Sequence, residues 1–286
     1  MTKKALLYTI LAYAGIWLLS VPYWFTGLTA QSPIFQVFAM LCMLTPLMAT
    51  VITQMVNKEP VLRGLGIRWK LNRWWLVAWI LPFFLVAAMI GVSCLMPNTY
   101  LSFDNPLTIE TLDKVNAILP EGKKLSPTVF ILSQLPNGFI AGITINALLA
   151  FGEEIGWRGY LLKQFSGKKF LTAALIIGAI WGLWHAPLIL MGHNFPDHPA
   201  IGVLVMILSC MCLAPIVQYI RIKSGSVIAA AIFHGSFNAF ATFVAFSLNR
   251  FDDLLTNPMG LAGIVVMLIT IGVLYLFDKK TLTSTV

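Results

Sequence analysis

Charge is what this sequence has least of. Asp, Glu, Lys and Arg make up 10% of its 286 residues, against a hydrophobic share of 58%, whereas a soluble globular domain is roughly a quarter charged. Together with a mean hydropathy of +0.84, that scarcity excludes a water-soluble fold. Cysteine is sparse as well. Cys42, Cys94, Cys210 and Cys212 all lie in apolar segments and make neither a CxxC pair nor a Cys/His cluster, so a disulfide framework and a zinc knuckle are both excluded. They read as small packing residues. Internal repeats, low-complexity tracts and Pro-rich linkers are absent too, so one transmembrane domain over residues 1–286 is the simplest organisation.

What is there is a succession of long runs without charge, each of the length that reads as a membrane-crossing helix. They run approximately from Ala5 to Leu28, Pro33 to Val56, Trp74 to Met96, Phe139 to Leu162, Phe170 to Met191, Ala200 to Ile220, Ser226 to Leu248 and Met259 to Phe277. The expected fold class is therefore all-α and polytopic, with about eight transmembrane helices in contact with membrane lipid. The first run is too long for the h-region of a cleavable signal peptide and lacks a clear small-residue cleavage site, so it is expected to remain as a span.

The formal charge of +8 could suggest a nucleic-acid partner, but the basic residues lie between the apolar runs, where membrane orientation explains them. No nucleic acid is expected. Of the 19 Lys and Arg, all but Lys114, Lys123, Lys124 and Arg250 fall in segments that an eight-span chain puts on the side of its termini. Positive residues are retained in the cytoplasm. Both termini are expected there, in a bacterium at the cell membrane, with the long loop from Pro97 to Pro127 outside and a short surface helix near Leu107 to Leu119. Trp69, Trp74, Trp75 and Trp79 read as an interfacial belt.

Ionisable groups within the runs are few, and each costs about 2.5–3.5 kcal/mol near the bilayer centre, which makes them functional candidates. They are Glu153, Glu154 and Arg158 in the fourth run, His185 in the fifth and His234 in the seventh, with Asn238 one turn beyond His234. Glu154 and Arg158 are four residues apart, on one face, and can form a salt bridge. Glu153, about 100° around the helix, is then free to face elsewhere and suits a general base acting on water. His234 and Asn238 share a face as well; an imidazole can hold water and an amide can donate to an oxyanion. Pro187 cannot continue regular helix hydrogen bonding, so a kink or an opened carbonyl is expected near His185. Taken singly, either histidine could be a packing residue and the Glu–Arg pair a lock between helices; together, in spans otherwise free of charge, they form a candidate site. Its motif-bearing core lies at approximately 127–248. His193, His198 and Asp197 read as ordinary solvated loop residues.

These residues resemble a known family. Glu153-Glu154-Ile155-Gly156-Trp157-Arg158 is similar to the EExxxR motif of the CAAX prenyl protease and bacteriocin-processing (abortive-infection) family, Trp181 to His185 to its aromatic-xxx-His motif, and His234 to Asn238 to its HxxxN motif. All three stand in the family's order. Trp181 occupies a place where Phe is common, a chemically mild departure. The resemblance implies an eight-helix intramembrane endopeptidase in which Glu153 activates water, His185 helps hold it, His234 and Asn238 stabilise the oxyanion, and Glu154 and Arg158 support the site. A peptide or membrane-associated protein, prenylated or not, is the implied substrate. Metal dependence is left open: Glu153, His185 and His234 could ligate zinc, although no HExxH helix is present. Rhomboid-type serine and intramembrane aspartyl chemistry are disfavoured, because GxSG and an intramembrane Asp pair are lacking. A proton- or solute-coupled transporter, and a non-catalytic immunity or scaffold protein, are the competing readings. One expectation strains the pocket. Glu153 and His234 lie roughly 12–15 Å from the cytoplasmic ends of their helices, but His185 lies about 24 Å from Lys169.

Overall fold

A run with no charge can satisfy its backbone groups in lipid only within itself, as a helix. The computed structural model, which describes every residue except Leu28, Gln31 and Pro33, is accordingly helical throughout, with two isolated bridges and no strand among the described residues. Helix α1 spans Lys3–Thr26 and is capped by Thr2, whose hydroxyl accepts the Ala5 N–H; Gly27, at φ 68°, turns the chain out of it. The second crossing is broken into α2 (Phe35–Cys42) and α3 (Thr45–Val56) ahead of Pro46. Then follow α4 (Arg73–Ser93), the surface helix α5 (Pro106–Asn116), α6 (Pro127–Ile143), α7 (Ile145–Glu154), a π-helical stretch over Ile155–Leu161, and α8 (Leu162–Gln164). The rest comprises α9 (Phe170–Trp184), α10 (Ala186–Leu190), α11 (Pro199–Ser224), α12 (Val227–Ala241), α13 (Phe243–Ser247) and α14 (Leu261–Thr283).

Eight of these segments are long and apolar enough to cross a membrane, in agreement with the expected count and class. The expected limits Leu28 and Pro33 lie outside the described residues. The fourth crossing differs from expectation. It begins at Pro127, not Phe139, and is 38 residues long, about 57 Å of helix against a hydrocarbon core of about 30 Å. The polar side chains of Ser133, Gln134 and Asn137 concealed its first half. The excess length is taken up by a break at Thr144, whose backbone sits at φ −112°, ψ −103°.

Both termini lie at one end of the bundle. Thr2 Oγ1 donates to Gln164 Oε1 at 3.3 Å, Gly167 N–H to the Val286 carbonyl at 2.7 Å, and Lys4 pairs with Glu59 in the loop before α4. The long loop closes the other end, where α5 docks through Thr108 Oγ1 on the Phe246 carbonyl at 3.0 Å. Glycines set the helix spacing that forms the site. A Cβ at Gly182 of α9 would fall 2.5 Å from Ile207 Cα of α11, and one at Gly235 of α12 would fall 2.6 Å from the Asn146 carbonyl carbon of α7. Such close backbone approach replaces the hydrophobic drive that lipid withholds.

Candidate active site

The two glutamates end α7 at the point where the helix widens into its π-helical stretch, a distortion common at functional positions. Both are buried, at 2% and 0% exposure, and they face different partners. Glu153 Oε2 accepts the indole N–H of Trp181 at 2.8 Å and that of Trp157 at 3.4 Å. Glu154 Oε1 accepts from Arg158 Nη1 at 3.0 Å and from His234 Nδ1 at 2.9 Å. The guanidinium of Arg158 also lies over the Trp181 ring, 4.6 Å from its centre. A buried cation is therefore met by one carboxylate and one aromatic face.

His185 stands at the junction of α9 and α10, and the proline two residues on explains its hydrogen bond. Pro187 has no N–H and its ring crowds the preceding turn, so the end of α9 tightens and the His185 N–H bonds the Gly182 carbonyl, 3.2 Å away. In a regular helix that N–H would go to Trp181. The freed Trp181 carbonyl instead accepts His185 Nδ1–H at 2.8 Å. Both imidazoles thus have Nδ1 committed to an oxygen, which leaves Nε2 as the reactive nitrogen of each. They pack around one indole: Trp181 lies edge-on to His234 at 5.2 Å and tilted to His185 at 5.9 Å.

The depth strain resolves at Trp181. Trp181 is eleven residues into α9 from Phe170, and Glu153 is eleven residues back from Gln164, so the indole and the carboxylate are level. His185, one turn deeper, reaches back through its ring to the Trp181 carbonyl. Asn238 is the residue not drawn into this cluster. It is exposed on α12 and opens onto an adjoining cavity. The replacement of Phe by Trp at 181 is not mild, because the indole supplies a donor that Phe lacks. Trp157 was missed altogether; its position four residues after Glu153, on the same helical face, was the available signal.

Two loop histidines are also less ordinary than their sequence context suggests. His198 Nδ1 donates to Asp253 Oδ1 at 2.7 Å, while the backbone N–H groups of Asp197 and His198 donate to Oδ2 of the same buried carboxylate at 2.8 and 3.1 Å. The Asp253 carboxylate holds the His198 pKa above its ordinary value. His193 packs on Phe35, with ring centres 5.4 Å apart, and burial pushes its pKa down to about 4.

As candidate zinc ligands, Glu153, His185 and His234 do not fit in this arrangement. Among the described residues, no three His, Cys, Asp or Glu side chains are grouped around one position that could hold an ion. Glu153 and His185 both bond Trp181, the first at its indole N–H and the second at its carbonyl.

Residues 135–240 match the model of the family described as type II CAAX prenyl endopeptidase Rce1-like. That segment contains the whole cluster and Asn238. Over those residues the chain is similar to the type II CAAX prenyl endopeptidases. A curated protein from Methanococcus maripaludis, CAAX prenyl protease 2, is 27% identical over 150 residues, which is 50% of this chain and 51% of that protein. The chain therefore spans about half the length of the curated relative it matches.

Proposed function

We propose that this protein is a CAAX protease-type intramembrane endopeptidase that uses Glu153 as its general base. The observation that carries the reading is the unequal treatment of the two glutamates: Glu154 is bonded to Arg158 and His234, while Glu153 meets no cation and is held through one oxygen by indole N–H groups. A carboxylate that is held by neutral donors and not neutralised by an ion pair is equipped to take a proton from water.

In this reading, a water molecule donates one O–H to Glu153 Oε1 and the other to His185 Nε2, whose acceptor state is set by the Nδ1–H bond to Trp181. As Glu153 takes the first proton, the water oxygen attacks the scissile carbonyl. The oxyanion is stabilised by the Asn238 amide and by His234, which carries its second proton on Nε2 while Nδ1–H stays with Glu154. Glu153 then returns the proton to the leaving amine. No step needs a metal. The substrate class is a peptide bond in a membrane-associated chain, prenylated or not, and both termini of the enzyme face the cytoplasm.

The test is cleavage of a farnesylated peptide ending in Cys-aliphatic-aliphatic-Met, and of its unprenylated counterpart, by the purified protein in detergent. Glu153→Gln should lower turnover by roughly 10²–10⁴. Wild-type turnover in the Glu153→Gln protein would remove the base assignment, and proton flux in proteoliposomes without peptide cleavage would favour a transporter instead.

A further inference from the structure

Beside the site lies a cavity of about 370 Å³ whose walls are unusual for a membrane bundle. Gln134 and Asn137 of α6, Asn146 of α7 and Asn238 of α12 all line it, so four carboxamides from three helices face one space. All four belong to membrane-crossing segments. Gln134 Nε2 donates to Ser133 Oγ at 3.1 Å and Asn137 Nδ2 to Gln134 Oε1 at 3.5 Å, whereas Asn146 and Asn238 have no side-chain partner among the described residues; a carboxamide facing lipid unpaired is costly, so an apolar occupant such as an acyl chain is a poor match. The lining passes from Asn238 of α12 through Thr242, at the joint, to Phe246 of α13, each four residues beyond the last, and His234 lies one turn before Asn238. The cavity is therefore a groove that runs from Asn238, one turn from His234 of the cluster, toward Thr111 of α5, at the end of the bundle opposite the chain termini. Phe130, Ile131 and Phe243 supply apolar wall between the amides.

We infer that this groove binds an extended peptide segment of the substrate. The inference rests on the protease reading and adds the location, conformation and direction of the bound chain. An extended peptide offers one N–H and one C=O per residue, a rise of about 3.3 Å each, and side chains that alternate in direction. Carboxamides can donate to and accept from such a backbone whatever its sequence, and the intervening aromatic walls receive its side chains. A cavity of this volume, within the range of roughly 300–1000 Å³ for small-ligand sites, accommodates a few residues and not a folded domain. The substrate thus enters unfolded, from the half of the membrane away from the termini.

Photo-crosslinking tests this without relying on turnover. In the Glu153→Gln protein, Asn137 is replaced by the photo-reactive p-benzoylphenylalanine, with the same replacement at lipid-facing Leu268 of α14 as the control. The probe is the farnesylated peptide lengthened to ten residues before its cysteine, and the competitors are the unlabelled peptide and oleate. The expected result is an adduct at 137, absent at 268 and competed by peptide but not by oleate. An adduct no stronger than at 268, or one removed by oleate, overturns the inference. In the catalytically intact protein, the Gln134→Leu/Asn137→Leu double variant should raise KM for the same peptide about tenfold with kcat within twofold, the scale of two lost hydrogen bonds. A fall in kcat with KM unchanged would contradict a binding role. If Glu153→Gln were to turn over normally, the assigned chemistry would fail while a peptide adduct at 137 still stood.

Discussion

Trp181 donates its indole N–H to Glu153 Oε2 at 2.8 Å while its ring face carries the Arg158 guanidinium at 4.6 Å. The same residue's carbonyl accepts His185 Nδ1–H, and its ring edges onto His234. One side chain therefore contacts both the proposed base and the Arg158 guanidinium. Trp181→Phe preserves the ring and removes the donor. Its kcat should fall by roughly 10- to 100-fold, as for hydrogen bonds to charged groups, with KM and melting temperature nearly unchanged. Trp157→Phe, which removes the longer bond, should cost less. Equal kcat in Trp181→Phe and wild type would show that the indole donor is dispensable.

The two glutamates should fail in different ways. Glu153→Gln should fold normally and lose turnover. Glu154→Gln removes the carboxylate shared by Arg158 and His234, and leaving a buried cation poorly paired costs about 3–5 kcal/mol, so melting temperature and yield should fall along with activity. Adding Arg158→Gln should restore part of the stability of Glu154→Gln. Melting temperatures of the single and double variants in detergent decide it, and the idea fails if the double variant melts below Glu154→Gln.

Pro187 should act on His185 through the backbone. With Pro187→Ala the last turn of α9 can regain regular bonding, the His185 N–H recovers the Trp181 carbonyl, and the imidazole loses its acceptor. Turnover should drop by up to about tenfold, while stability holds or rises because a helix-breaking residue is gone. A destabilised Pro187→Ala protein with full activity per folded molecule would contradict this account.

Orientation is testable by accessibility. Thr111→Cys in α5 should react with an impermeant maleimide from outside the cell, and Ser166→Cys, in the turn beside the C-terminus, only after the membrane is opened. The reverse pattern would invert the topology.

The tie between the 191–198 loop and Asp253 should depend on pH. Asp253 raises the His198 pKa above the ordinary value of about 6.5. A raised pKa in the folded state contributes stability that is fully present below the unfolded value and is lost as pH climbs through the folded one. The melting-temperature gap between wild type and His198→Gln should therefore be open near pH 6 and closed by about pH 9. A gap constant across that range would mean that the ion pair contributes nothing.

The sequence by itself determined the helical class, the eight crossings, the short surface helix near Leu107 to Leu119 and the identity of the polar residues inside the membrane. Each follows from a local rule. Charge-free runs must bond within themselves in lipid, a mixed-charge periodic stretch between spans forms a surface helix, and ionisable groups are expelled from spans unless something holds them. The Glu154–Arg158 pair was legible for the same reason, because four residues along a helix is a fixed geometry. Only the tertiary structure decided which helix meets which. That Trp181 of α9 reaches Glu153 of α7, that His234 of α12 bonds Glu154 and not Glu153, and that Asn238 opens into a groove with Gln134 and Asn137 all depend on packing. No periodicity within one helix specifies its rotation against another. The early start of α6 and its break at Thr144 were hidden because polar side chains facing a groove lower local hydropathy as surface residues do, and the groove exists only once α6 and α12 are side by side.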